Sequence, residues 1–439
     1  MEVRHEVDGG GNGQDQPPHA EGILNFRGRQ GHGGELFYAV WALDPGLAFL
    51  NHGSFGACPR PVLEVQQRLR EELERSPVRF LARELEGRLA AARAALGAFV
   101  GADPDDLAFV PNATTAVNTV LRSLALRPGD ELLTTDHAYN ACRNALDVVA
   151  DRAGARVSVV PLPLPVSGEA QVIKAVLAAV TPRCRLALLD HVTSPTGIVL
   201  PVERLVPALA ERGVDTLVDG AHGPGMLDLD LHRLGAAYYA GNCHKWLCAP
   251  KGAAFLHVRR DRQAPVHPLV LSHGANSPRT DRSRFRLEFD WMGTDDPTAY
   301  LAVPEAIRVI AESQPGGWPA VMARNRALAR QARALLLEAL GAPAPCPDTM
   351  LGALAAVPLP DAPRPQPPAR DALQTALMER FAIEVPVISW PASPKRLLRI
   401  SCHVYNRLEE YERLGHALGT LLGRVSARSA DRGARRPRG

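Results

Sequence analysis

The sequence predicts an α/β protein: a mostly parallel sheet covered by helices on both faces, followed by a smaller α+β unit. Two textures carry that expectation. Between about residues 107 and 258, short apolar runs of strand length alternate with helical stretches, the pattern of strand–helix–strand crossovers. After about residue 300, long helical stretches come first and strands later, separated by Pro-rich connectors. A third observation says where function should lie. Ligands of parallel sheets bind beyond the carboxyl ends of the strands, and the loops after these strands hold the unusual residues.

The elements follow in order. Residues 1–35 are rich in Gly, polar residues and His without periodicity, and are expected to be disordered. An apolar stretch, 36–50, leads into the glycine-punctuated loop Asn51-His-Gly-Ser-Phe-Gly56. Helices are expected over 61–75, where Pro61 suits a first turn, and over 81–100. Strands are expected at 107–110, 131–133, 156–160, 185–189, 214–218, 237–240 and 253–258, with helices starting at Thr114, Asn140, Glu169 and Val202. Helices then cover 298–313 and 319–340. A strand at 351–357, a helix near 371–381, strands at 383–388 and 397–401 and a helix over 407–422 complete the smaller unit. The expected division is a disordered extension over 1–35, an arm and large domain over 36–300, a small C-terminal domain over 301–423, and a disordered basic tail over 424–439.

Composition narrows the function. With 439 residues and 46% hydrophobic residues, the chain can bury two cores. No apolar run is long enough to cross a bilayer, and the first residues lack the apolar core of a signal peptide. The formal charge of +3 misleads, because residues 424–439 carry six Arg and one Asp, or +5, leaving about −2 for the rest. No nucleic-acid surface is expected, and the tail implies at most weak affinity for anions. Seven cysteines (58, 142, 184, 243, 248, 346, 402) are scattered without metal-ligand spacing. They read as structural thiols in a reducing cytoplasm, and no metal is expected.

The strand-end loops carry the chemistry. Asn112 is a good N-cap, and Thr114 and Thr115 put hydroxyls and amides at a helix start, a seat for a phosphate dianion. The loop Asp136-His-Ala-Tyr-Asn140 offers two flat rings, His137 and Tyr139, either able to stack on an aromatic cofactor. Asp190 to Gly197 is small and hydroxyl-rich. Asp219 ends the strand at 214–218, and a buried strand-end acid needs a cation or several donors. Lys245 follows in Gly241-Asn-Cys-His-Lys-Trp246, between two apolar runs. Desolvation there lowers an amine's pKa and makes it a nucleophile for a carbonyl. A lysine for an imine, an acid for a pyridine nitrogen and a helix start for a phosphate together suit pyridoxal 5′-phosphate. No G-x-G-x-x-G follows a strand and no P-loop occurs.

With these pieces the chain resembles the class V aminotransferase superfamily of fold-type I pyridoxal-phosphate enzymes, and within it the isopenicillin N epimerase-like branch. The matching stretches are Leu50 to Gly56, Asn112 to Asn118, Asp219 to His222, Gly241 to Trp246, Asp290-Trp-Met-Gly-Thr-Asp295 and Arg399-Ile-Ser-Cys-His-Val-Tyr-Asn406. The resemblance implies that Lys245 forms the imine and Asp219 pairs with the pyridine nitrogen, with His222 near the phenolic oxygen. Thr114, Thr115, Asn242 and His244 would surround the phosphate, with Ser194 also in the cofactor set. Gly293 and Thr294 would reach the phosphate of a neighbouring protomer, which implies a homodimer. Tyr139 is the expected stacking ring, with His137 the alternative. Arg399 would grip a substrate α-carboxylate, and Asn51 and His52 would border the entrance. The segment 385–393 lacks the thiol that cysteine desulfurases carry, so persulfide formation is disfavoured. The expected function is epimerisation at the α-carbon of an amino acid through a carbanion. A β-eliminating carbon–sulfur lyase, an aminotransferase and a catalytically idle relative are the alternatives. His52, Tyr139 and His222 are each candidates for the second acid.

Overall fold

The structure is a computed structural model and describes residues 40–363 and 371–423. The expected disorder of 1–35 and of the tail lies outside these residues, as does part of the Pro-rich stretch before residue 371.

A short strand, β1 (Ala48–Phe49), precedes two helices, α1 (Arg60–Arg75) and α2 (Leu85–Val100). The helix expected from residue 81 begins instead as a π-helical segment, Arg79–Glu84, that runs into α2. Next come β2 (Leu107–Val110), α3 (Ala113–Ser123), β3 (Glu131–Thr135), α4 (Asn140–Ala153), β4 (Arg156–Val160), α5 (Glu169–Ala178), β5 (Cys184–Asp190), α6 (Val202–Ala210), β6 (Asp215–Gly220), β7 (Tyr238–Asn242) and β8 (Ala254–Val258). These seven strands form one sheet in the order β2-β8-β7-β6-β5-β3-β4. Neighbours pair in parallel except at β8, which runs antiparallel to both β7 and β2. The fold is therefore α/β with a mostly parallel central sheet.

Both faces of that sheet are buried, and period-2 alternation explains how. Along β5, Ala187 and Leu189 join one apolar cluster while Leu186 and Leu188 join another. Each crossover helix covers a face, so the strands read as continuous apolar runs and their carboxyl ends emerge together at one edge of the sheet.

The C-terminal part builds a smaller antiparallel sheet. Helices α7 (Val303–Glu312) and α8 (Gly317–Leu340) lead to β9 (Leu354–Leu359), α9 (Ala372–Phe381), β10 (Ile383–Glu384), β11 (Val387–Ser389), β12 (Arg396–Ser401) and α10 (Leu408–Leu421). The sheet order is β11-β12-β9. Proline explains two departures from the expected elements. The helix expected over 298–313 breaks into Thr298–Leu301 and α7, because Pro304 has no N–H to continue the ladder. The strand expected over 383–388 splits at Pro386: β10 pairs in parallel with β1, and β11 pairs with β12. The start of the folded chain is thereby stitched to its last third, Ala48 opposite Ile383.

Candidate active site

Four strand ends assemble the site. In parallel register Asp190 on β5 lies beside Asp219 on β6, and Asp219 lies beside Ala240 on β7. The loop after β7 carries His244 and Lys245, and the start of α3 follows β2. These segments line a cavity of about 380 Å³, bounded by Thr114, Tyr139, Ser194, Asp219, His222, Asn242, His244 and Lys245 among others.

Geometry favours the free-amine form of Lys245. Trp246 Nε1–H donates to His222 Nδ1 at 3.1 Å. A neutral imidazole then carries its proton on Nε2, which lies 3.3 Å from Lys245 Nζ. An ammonium cannot accept that bond, whereas an amine can. Electrostatics agree. Burial, and then the Lys245 and Arg399 charges, push His222 well below its ordinary value and keep the imidazole neutral. Burial and the Arg399 charge, opposed by Asp219, bring Lys245 down to about 8.

Asp219 accepts from the Ala221 N–H at 3.0 Å and from the Cys142 thiol at 3.1 Å. Neither donor is a cation, so its carboxylate faces the cavity without a countercharge in hydrogen-bond contact. Asp190 lies beside it, and burial followed by the Asp219 charge pushes its carboxyl well above the usual range. The Tyr139 N–H holds it, which ties the Tyr139 loop to β5.

At the start of α3 the two threonines are placed differently. Asn112 caps the helix by accepting from Thr115 N at 2.8 Å and from Thr115 Oγ1 at 3.1 Å. Both donors of Thr115 are thereby engaged, and Thr115 does not line the cavity. Thr114 does, and its N–H and hydroxyl have no partner among the described residues. Asn242 accepts from the Ala113 N–H at 2.8 Å, fixing α3 against β7. His244 Nδ1 lies 3.0 Å from the Ala253 carbonyl, to which it donates, leaving Nε2 for the cavity.

Arg399, in the middle of β12, is buried where the two sheets meet. Its Nη1 donates to the Ser194 carbonyl and hydroxyl at 2.7 and 3.1 Å, and Nη2 donates to Ser54 Oγ at 2.9 Å. Ser54 in turn donates to Asn51 Oδ1 at 2.6 Å. The buried Nε of Arg399 has no partner among the described residues. Burial lowers the guanidinium to about 10, which leaves it charged at neutral pH.

Several expected residues lie elsewhere. His137 is fully buried, with its ring nitrogens at Thr196 Oγ1 and the Leu162 carbonyl, and it lines neither this cavity nor the larger one beside it. His52 is also fully buried. Its Nδ1 accepts from Ala57 N–H and Tyr405 OH, and its Nε2–H donates to the Lys245 carbonyl at 3.0 Å. His52 therefore supports the Lys245 backbone and does not border an entrance. Asn51 reaches the site only through Ser54. Gly293 and Thr294 are exposed and away from the Lys245 cavity of their own protomer; Gly293 lines a separate small groove. The sequence reading missed Cys142, Asp190, Trp246 and Lys251, the last of which also lines the cavity. Lys251 had a signal in the Pro/Gly turn six residues after Lys245. Cys142 had none beyond its place in the first turn of a helix.

The Aminotransferase class-V family profile matches residues 56–353. The chain belongs to the class V aminotransferase family. Its cofactor is pyridoxal 5′-phosphate, and its fold is that of the fold-type I enzymes. The residues present fit the group: an amine whose pKa is lowered by burial, a carboxylate at the same cavity and donors at the start of α3 without a partner among the described residues. Among similar proteins, isopenicillin N epimerase of Streptomyces clavuligerus is 40% identical over 397 residues, 87% of this chain and 96% of that protein. The probable chloroplastic L-cysteine desulfhydrase of Arabidopsis thaliana is 32% identical over 413 residues, 86% of this chain and 84% of that protein. A solved complex of a cystine C–S lyase with its product cysteine persulfide superposes with a TM-score of 0.72 at 25% identity, covering 85% of this chain and 97% of that one. This class V enzyme thus has both epimerase and lyase relatives.

Proposed function

We propose that this class V enzyme epimerises an amino acid at its α-carbon. The observation that carries the reading is the presence at one cavity of two proton-transfer groups: the Lys245 amine and the Tyr139 phenol, whose hydroxyl has no partner among the described residues. Bound pyridoxal 5′-phosphate supplies an imine and an electron-accepting ring that acidify the α-proton. The chain's residues do the rest. Lys245 would hold the cofactor through its amine, and its Nζ would take the α-proton. Tyr139 returns a proton from its hydroxyl to the opposite face, and both groups re-equilibrate with water between turnovers. His222 presents a donor to the Lys245 amine, and Asp219 would hold a proton on the ring nitrogen. Thr114, Asn242 and His244 seat the phosphate. Arg399 binds the α-carboxylate with its guanidinium.

Of the three candidates for the second acid, His52 is walled off and His222 sits against Lys245, which favours Tyr139. None of the seven cysteines, all buried, lines either cavity, which supports chemistry without a thiol nucleophile. The reading includes a homodimer in which Gly293 and Thr294 complete the neighbouring phosphate seat. Seven free thiols favour a reducing, cytoplasmic setting. A β-elimination that releases sulfur is the second reading, supported by the desulfhydrase relatives.

The test is incubation of the cofactor-loaded protein with L-amino acids in D₂O. Deuterium at Cα with growth of the D-isomer is expected, and Lys245→Ala should lose both the exchange and the borohydride-fixed adduct. Pyruvate and sulfide would move the enzyme to elimination, and keto acid to transamination. No exchange on any amino acid tried would overturn the reading.

A further inference from the structure

Among the described residues, the Cys142 thiol is the one that donates to a carboxylate. Its Sγ lies 3.1 Å from Asp219 Oδ2, whereas Cys58, Cys184, Cys248 and Cys346 donate to backbone carbonyls at 3.6–3.9 Å. Cys142 is 1% exposed, in an apolar cluster with Leu146, Leu188, Leu217 and Ala240. A hydrocarbon side chain would satisfy those neighbours. The sulfur adds a donor, and it adds it to the acid at the cavity.

That donor completes the support of Asp219. Oδ1 accepts the Ala221 N–H at 3.0 Å and Oδ2 accepts the thiol, one donor on each oxygen. The last torsion of an aspartate is broad, so a carboxylate held on one oxygen alone can turn, and a second donor fixes its plane. Burial, followed by the Asp219 charge, pushes the thiol up, so it keeps its proton and stays a donor. The titratable groups that sense the Asp219 charge from the elements around it are Cys142 on α4, Asp190 on β5, Tyr239 on β7 and Lys245 in the loop after β7. Of these four side chains, only that of Cys142 is in hydrogen-bond contact with Asp219. Cys142 lines neither cavity, so it reaches a bound molecule only through that acid.

The same bond ties down α4. Tyr139 and Cys142 lie three residues apart, about one helical turn. The Tyr139 N–H holds Asp190 and the Cys142 thiol holds Asp219, and these two acids are neighbours in the register of β5 and β6. The start of α4 is thereby pinned to two adjacent strand ends.

We infer that Cys142 is a positioning residue for the cofactor: its S–H fixes the Asp219 carboxylate for the pyridine nitrogen and anchors the start of α4, which carries Tyr139. The thiol proton stays on sulfur. The inference rests on the reading of Asp219 as partner of the ring nitrogen.

The test compares pyridoxal 5′-phosphate with its deaza analogue, in which C–H replaces the ring nitrogen. Both are titrated into cofactor-free wild type, Cys142→Ala, Cys142→Ser and Asp219→Ala. Wild type should prefer the nitrogen-bearing cofactor. Cys142→Ala should reduce that preference by about threefold to tenfold, the size of one modest hydrogen bond, with the deaza analogue little affected. Cys142→Ser should restore it in part. An equal loss for both probes, or no loss, would reduce Cys142 to packing and overturn the inference. If Asp219→Ala keeps the wild-type preference, the ring-nitrogen reading falls and the inference with it; if Asp219→Ala abolishes the preference while Cys142→Ala keeps it, only the inference falls. Infrared spectra of the cofactor-free proteins check the bond itself. The S–H stretching band lost in Cys142→Ala should move to higher frequency in Asp219→Ala, and an unmoved band would also overturn the inference.

Discussion

Trp246 decides the protonation state of a residue it does not touch by hydrogen bond. Its indole N–H can only donate, so it selects the His222 tautomer, and His222 then presents a donor to Lys245. Trp246→Phe removes that selection. The rate of cofactor uptake by cofactor-free protein should rise with pH through about 8 in wild type, and this limb should move toward the ordinary lysine range in the variant. An unmoved limb would show that burial alone sets the amine. The same depressed value makes a stability statement. Between about pH 8 and the ordinary lysine value, the unfolded chain holds a proton that the folded chain has lost, so stability of the cofactor-free protein should rise with pH across that window. Lys245→Met should flatten the slope in denaturant titrations.

At the scale of single residues, legibility depended on whether a role is local. Lys245 and Asp219 could be read because a polar residue at the end of an apolar strand is conspicuous wherever the strand lies. Thr114 and Thr115 could not be separated, since the choice turns on which amide Asn112 caps. His137 could not be separated from Tyr139, because the atoms that bury it come from Leu162 and Thr196, far along the chain.

Among elements, Gly56 links the first short helix to the lysine loop. It follows His52–Phe55 with φ +72, and a Cβ there would lie 2.1 Å from the His244 carbonyl oxygen and 3.0 Å from Lys245 Cα. The neighbours are backbone atoms and cannot swing aside. Gly56→Ala should therefore destabilise the protein by about 1–3 kcal/mol through the left-handed backbone alone, with more from the clash. It should also weaken cofactor binding; a melting curve and a cofactor titration like those of wild type would refute this. The crossover elements of the central sheet were legible because their periodicity and length agree. The π-helical turn and the breaks at Pro304 and Pro386 were less so. One proline can start a helix or divide a run, and tertiary pairing decides which, as β10 shows by pairing with β1 instead of continuing into β11.

Over the whole molecule, the described residues leave several large apolar side chains exposed. Phe55 lines both cavities and is 74% exposed, and Leu269, Val270 and Leu271 form an exposed run of 45–62%. With the expected reach of Gly293 and Thr294 toward a neighbour, this supports assembly in pairs. Sedimentation should give a particle of twice the 47.3 kDa chain, and Val270→Asp should shift it toward the single chain with loss of cofactor affinity. A monomeric wild type that holds cofactor normally would contradict the pairing. The expectation of pairing comes from the family resemblance, because a residue that would serve another copy leaves no trace in its own cavity. No helix among the described residues is long and apolar enough to cross a membrane.

The stitch between β1 and β10 has a consequence for where the chain can be cut. Arg399 is steadied by Ser54, Ser54 by Asn51, and Asn51 lies two residues after a strand anchored at Ile383 and Glu384. A fragment beginning at residue 56, where the family match begins, would retain every strand of the central sheet and the lysine itself. It would nonetheless forfeit the brace behind the proposed carboxylate grip and, with His52, the bond that supports the Lys245 carbonyl, so both cofactor and amino acids should be held loosely.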